Sequence, residues 1–157
     1  MRKRVLGLLL PVAFLMTAAE ANASVGDIFK RKPQYGAPGK VVAHIDVGNQ
    51  RLDLSVDGQF YGSWAVSTAG KGYHTPRGSF YVQRMEKIWF SRKYDNSPMP
   101  NSVFFNGGIA VHGTNHLASL GRPASHGCVR LAPQNAAQLF SLIKKYGARN
   151  TRIIVTD

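Results

Sequence analysis

Cys128 is the only cysteine in the 157-residue chain, and it stands in a chemically pointed setting, Ser125-His126-Gly127-Cys128-Val129-Arg130-Leu131. A second such stretch is Val111-His112-Gly113-Thr114-Asn115-His116; Ala124, which leads into the cysteine motif, lies twelve residues after His112. A thiol nucleophile needs a base that draws off its proton near neutral pH. The base needs a partner that fixes its orientation. The oxyanion that develops needs backbone N–H donors. His112 offers the imidazole from a separate segment. Gly127 lets the backbone turn tightly just before Cys128, which bares amides beside the sulfur. A helix expected about five residues later would turn its positive end toward a thiolate. Together these residues predict a nucleophilic thiol at Cys128.

Other readings of the same residues are duller. A lone cysteine also serves as a small buried hydrophobe. His112, His116, His126 and Cys128 are all of zinc-ligating type, which makes a zinc hydrolase the metal alternative. Against it, the chain has no His-Glu-x-x-His, and Gly113 opposes a helix that would align His112 with His116. No metal and no cofactor is expected. His44 falls within a strand pattern and reads as a surface or packed histidine. His74 lies in a Gly-rich loop and reads as exposed.

The elements that must position these residues are mostly strands. Val41, Ala43, Ile45 and Val47 alternate with other residues, as do Leu52, Leu54 and Val56. Asp57-Gly58 is a strong hairpin turn, with a return strand from Phe60 to Ser67. A polar, Gly-containing loop runs from Thr68 to Gly78. Phe80-Tyr81-Val82 and Ile88-Trp89-Phe90 are further short strand candidates. Pro98 and Pro100 prevent a long regular element in 91–102. Val103–Phe105 and Ile109–Val111 flank Gly107-Gly108. Ala136, Leu139, Phe140 and Ile143 recur at helical spacing, with Pro133 suited to the first turn and Gly147 placed to end the helix. Arg152–Thr156 reads as a last strand. The expectation is a mainly β domain, sandwich-like with mixed sheets, and one main helix near 133–146.

Composition agrees with one folded domain in an exported protein. Hydrophobic residues make up 44% and charged residues 18%, which excludes disordered and collagen-like chains. Arg2-Lys3-Arg4, the apolar run Val5–Met16 and Ala21-Asn22-Ala23 form a signal-peptide pattern over 1–23. Its apolar run is too short to span a bilayer, so the mature chain is expected not to be membrane-spanning. Residues 24–39, with Lys30-Arg31-Lys32, read as a flexible basic leader, and 40–157 as the folded domain. Periplasm or cell-wall space is the expected location. Oxidising compartments usually pair their cysteines, so an unpaired one there points to a reactive thiol or an intermolecular link. The formal charge of +12 would become +10 after cleavage following Ala23, suited to an anionic envelope. No nucleic-acid-binding motif is present, and no nucleic-acid partner is expected.

Ser-His-Gly-Cys-Val-Arg, preceded at this distance by His-Gly-Thr, resembles the signature of the YkuD-type L,D-transpeptidases of bacterial cell walls. Asp46, Gln50-Arg51-Leu52 and Asp57-Gly58 resemble that family's opening hairpin. Val66-Ser67-Thr68 with Thr75-Pro76-Arg77-Gly78 resembles its next stretch, and Leu120-Gly121-Arg122-Pro123-Ala124 resembles the run into the cysteine motif. The likeness covers about residues 41–155. It implies that Cys128 attacks the bond between diaminopimelate and D-alanine in a peptidoglycan stem peptide. It implies His112 as general base, the Gly113 carbonyl as its orienter, and the amides of Gly127 and Cys128 as the oxyanion hole. His126 would be a supporting or second histidine. Arg130 would contact a substrate carboxylate, and Met99 would stand at the rim of the acyl-donor cleft. Acceptors implied are a second stem peptide, a lysine of an envelope protein, or a free D-amino acid. Hydrolysis of the same bond and a non-catalytic peptidoglycan-binding module are the alternatives.

Overall fold

The computed structural model describes residues 40–157; the expected signal sequence over 1–23 and the leader over 24–39 lie outside the described residues. Strands β1 (Val41–Asp46), β2 (Arg51–Val56) and β3 (Gln59–Ala65) form an antiparallel meander. The turn between β2 and β3 is Asp57-Gly58, with φ of 49° and 76°. Positive φ at both central residues is what a two-residue hairpin needs to match strand twist. β4 (Gly78–Tyr81) and β11 (Thr151–Thr156) complete a five-stranded sheet of order β3-β2-β1-β11-β4, in which β1 and β11 run parallel.

A second sheet has the order β10-β9-β8-β5, with β5 at Arg84–Glu86, β8 at Ser102–Asn106, β9 at Ile109–Gly113 and β10 at Val129–Leu131. β10 pairs parallel with β9, Val129 opposite Val111 and Arg130 opposite His112. A small separate hairpin joins β6 (Phe90–Ser91) to β7 (Ser97–Pro98). At its tip the amide of Ser97 donates to the carbonyl of Tyr94, and Asp95 and Asn96 both have positive φ.

Helix α1 spans Pro133–Tyr146, with Pro133 in its first turn and Gly147 (φ 96°) at its end. It buries Ala136, Leu139 and Ile143. These pack in one core with Val41, Ala43, Ile45, Leu52 and Leu54 of the first sheet and Val103, Phe105, Val111, Val129 and Leu131 of the second. The expected mixed-sheet sandwich with one main helix is the observed architecture. Arg84–Glu86, for which the sequence pattern gave no strand, is one although it holds a single apolar residue between two charges, because it pairs as an edge along β8. One local expectation needs correction. Ile88-Trp89-Phe90 is not a strand of either main sheet. Trp89 leaves the strand path to pack edge-on against Phe104, and Ile88 is exposed.

Candidate active site

Successive residues of a strand face opposite ways, and in the second sheet this divides two kinds of chemistry. Val111, Val129 and Leu131 enter the main core. Ala110, His112, Cys128 and Arg130 therefore share the other face. There Met99, Phe104 and Ala110 make a small apolar cluster against which Trp89 and Cys128 pack. Above it opens a cleft of about 760 Å³, lined among others by Cys128, His112, His126, Arg130, Thr114 and Met99. The register places Cys128 just before Val129 and thus beside Ala110, with His112 diagonally across on the neighbouring strand.

His112 is buried, with its Nδ1 2.7 Å from the carbonyl oxygen of Gly113. A carbonyl can only accept, so Nδ1 carries the proton and Nε2 holds the free lone pair. Burial drives the imidazole down to about 4, outweighing the Gly113 carbonyl, and the positive charge of Arg130 adds to the push. Gly113 itself is confined: a Cβ there would lie 3.1 Å from Pro100 Cγ and 3.3 Å from its carbonyl oxygen.

The Cys128 sulfur is half-buried and faces the Gly108 carbonyl at 3.9 Å. Burial pushes the thiol above its ordinary value; the amide of Ala110 and the charge of Arg130 pull the other way without overcoming it. The body of α1 packs on the core face of the sheet, opposite the face that carries the sulfur. The resting pair is thus a neutral thiol and a neutral imidazole. Burial moves the two groups in opposite directions, the thiol up and the imidazole down, so both shifts oppose forming the ion pair before substrate arrives.

The turn bearing the sulfur is held by buried hydroxyls. Ser125 Oγ accepts from the amide of Gly127 at 3.0 Å and donates to the carbonyl of Cys128 at 2.5 Å. Thr75 Oγ1 donates to the carbonyl of Gly127 at 2.8 Å. Thr68 accepts the amides of Ala124 and Ser125 on its carbonyl and is itself fixed by Gln50, whose side chain bonds both its amide and its hydroxyl. Gly127 has φ 129°, and a Cβ would lie 2.9 Å from Ile109 Cδ1 and 3.0 Å from the His74 carbonyl oxygen. Only glycine fits.

This network corrects part of the expected oxyanion hole. The Gly127 amide is occupied by the Ser125 hydroxyl two residues back in the same turn, which leaves the Cys128 amide as the candidate donor. Met99 lines the cleft from below, buried in the cluster with Phe104 and Ala110. Arg130 lines the cleft and bonds the Ala124 carbonyl at 3.3 Å. His126 is exposed and lies between two tyrosine rings, Tyr73 and Tyr94. His116 reaches the cleft, whereas His74 is exposed in its loop. Among the described residues no three His, Cys, Asp or Glu side chains converge. His44 is a packed histidine bonded to Thr156 Oγ1. Sequence reasoning missed the structural work of Ser125, Thr75 and Gln50, and the presence of Tyr94, Trp89 and Arg84 in the cleft wall. Small hydroxyl residues beside a glycine turn are the one signal that would have raised Ser125 and Thr75.

Comparison with known proteins is consistent across sequence and structure. The YkuD profile, described as the L,D-transpeptidase catalytic domain, matches residues 40–155. The chain is 26% identical over 133 residues to YqjB of Bacillus subtilis, covering 76% of this chain and 73% of that protein. It is 23% identical over 107 residues to YkuD of the same organism, covering 63% and 58%. Among solved structures, an L,D-transpeptidase from Mycobacterium smegmatis superposes with a TM-score of 0.66 at 26% identity, covering 76% of this chain and 59% of that one. One from Stackebrandtia nassauensis gives 0.66 at 26% identity, covering 77% and 57%. The chain thus spans somewhat under six-tenths of the length of these solved relatives.

Proposed function

Because the chain belongs to the L,D-transpeptidase catalytic-domain family, we propose that it is an exported acyltransferase that works on peptidoglycan stem peptides through a thioester on Cys128. One observation carries this reading: Cys128 and His112 share one face of adjacent parallel strands and open into the same cleft, while the Gly113 carbonyl holds the imidazole with Nε2 free.

The donor carbonyl between diaminopimelate and D-alanine settles over the sulfur. As the S–C bond forms, the thiol proton passes to Nε2 of His112. Because burial disfavours the charged form of both groups, proton transfer accompanies bond formation. The negative oxygen accepts from the Cys128 amide. The C–N bond then breaks, His112 returns its proton to the departing amine, and D-alanine leaves. An acceptor amine attacks the thioester; His112 takes a proton from that amine, and the sulfur departs to regain it. The acceptor is a second stem peptide, an envelope-protein lysine or a free D-amino acid. Among the described residues the cleft lining holds Arg84, Arg92, Lys93 and Arg130 and no Asp or Glu, which favours a donor rich in carboxylates. The basic start, apolar run and small-x-small site of residues 1–23 support export to the periplasm or wall space.

The test incubates purified protein with disaccharide-tetrapeptide. D-alanine is expected to be released, with a thioester adduct on Cys128 visible by intact mass. Full activity in Cys128→Ala would end the reading.

A further inference from the structure

The hairpin β6–β7 pairs with neither main sheet. Its strands are two residues each, and an isolated two-stranded hairpin is marginal in water. Its base is fixed by Trp89, which packs edge-on against Phe104 at 5.6 Å and lies under the Arg84 guanidinium at 4.4 Å. Its tip reaches across the cleft to a different anchor. The ring of Tyr94 stacks on that of His126, centroids 4.3 Å apart and planes 23° from parallel. From another direction Tyr73 meets the same imidazole edge-on at 4.4 Å. Three rings from three segments thus meet at the residue two before the nucleophile: the hairpin, the loop between β3 and β4, and the cysteine turn.

A proton-transferring histidine needs its tautomer fixed by an orienting partner. His112 has one in Gly113. Among the described residues neither nitrogen of His126 hydrogen-bonds; its ring faces are used instead. We propose that His126 is a positioning residue, the latch that holds the β6–β7 hairpin closed over Cys128, and that it takes no part in proton transfer. The hairpin residues Arg92, Lys93 and Tyr94 that line the cleft are then held in place by this stack. Opening it widens the way to the sulfur and slackens the grip on the donor. The kinetic half of the proposal rests on the acyl-transfer reading; the access half does not.

The experiment compares wild type, His126→Ala, His126→Phe and Tyr94→Ala. Cys128 is the only thiol, so labelling reports one site. Each protein is alkylated with iodoacetamide and with a bulky fluorescein maleimide, and the ratio of the two rates is taken, which cancels changes in the sulfur's own reactivity. His126→Ala and Tyr94→Ala are expected to raise the ratio about two- to tenfold, the equilibrium worth of one aromatic pair. His126→Phe, which stacks and carries no proton, is expected to bring it back toward wild type. With the tetrapeptide donor, His126→Ala is expected to raise KM more than it lowers kcat, and His126→Phe to recover most of that loss. An unchanged labelling ratio in His126→Ala overturns the latch. So does a His126→Phe enzyme as poor in kcat as His126→Ala with KM unaltered, which would mark His126 as a proton carrier. If no variant, wild type included, turns over the donor, the acyl-transfer reading falls, and the labelling ratio still decides the latch.

Discussion

Cys128 and Val129 are neighbours in the chain and face opposite ways. Val129 is sealed among the apolar residues that join both sheets to α1, whereas Cys128 opens onto the cleft. His112 and Val111 repeat the contrast one strand over. The pleat alone lets a four-stranded sheet serve as core on one side and as a reactive floor on the other. Changes on the two faces should therefore read out differently even when they lie three residues apart.

The largest effects test that separation. Cys128→Ala should abolish D-alanine release while changing the unfolding free energy by less than about 1 kcal/mol, since little apolar area is lost. Leu131→Ala, on the core face and fully buried, should do the reverse. Its expected cost is about 2–5 kcal/mol of unfolding free energy, with kcat per folded molecule kept. Equal loss of stability in both variants would mean that the two faces are not independent.

His112 is expected to register on both scales. His112→Asn should lower kcat by about 10²–10⁴, the usual range for general-base help. In the wild-type enzyme the acid limb of kcat/KM should lie near about 4, where the buried ring finally protonates and can no longer accept; a limb near the ordinary imidazole value of about 6.5 would point to another histidine. The same depression has a stability sign. The unfolded chain takes up this proton first, so stability is lost as pH falls from about 6.5 to about 4, by about 3 kcal/mol, and no further below that. His44 is also lowered by burial and adds in the same direction. The difference between wild type and His112→Asn across that window isolates the share of His112.

The two faces also differed in how far the sequence revealed them. The core face follows period two and period 3.6, and Leu52, Leu54, Val111, Leu139 and Ile143 are readable as interior from spacing. Asp57-Gly58 and Gly147 announce their turns because their φ values exclude most side chains. The nucleophile and its histidine stand out by type. Their diagonal relation does not, because it depends on which residue of β10 pairs with which of β9, and that register is a long-range fact. The hidden parts are β5, held by edge pairing alone, and the aromatic anchors Trp89, Tyr94 and Tyr73, whose partners are distant in sequence. The helix was legible from its spacing, whereas the face of the sheet that α1 covers depends on long-range packing.

The smallest expected effect probes the seam between the faces. Ser125 is buried, and its hydroxyl ties the Gly127 amide to the Cys128 carbonyl. Ser125→Ala leaves that amide without its partner inside a turn that Thr75 still grips from the other side. A buried donor left unpaired costs about 1–3 kcal/mol, so the variant should unfold at lower denaturant. The same change frees the Gly127 amide to turn toward the oxyanion, which would spare or raise kcat if a second donor were what the site lacks. Against that, the sulfur's position depends on a turn that the hydroxyl stiffens, and a loosened nucleophile loses more from misplacement than one exposed amide returns. The balance favours a fall in kcat of about tenfold, a barrier increase of about 1.4 kcal/mol. Stopped-flow measurement of acylation decides between them: slower thioester formation in Ser125→Ala identifies the hydroxyl as the clamp of the nucleophile turn, and faster formation identifies it as a competitor for an oxyanion donor.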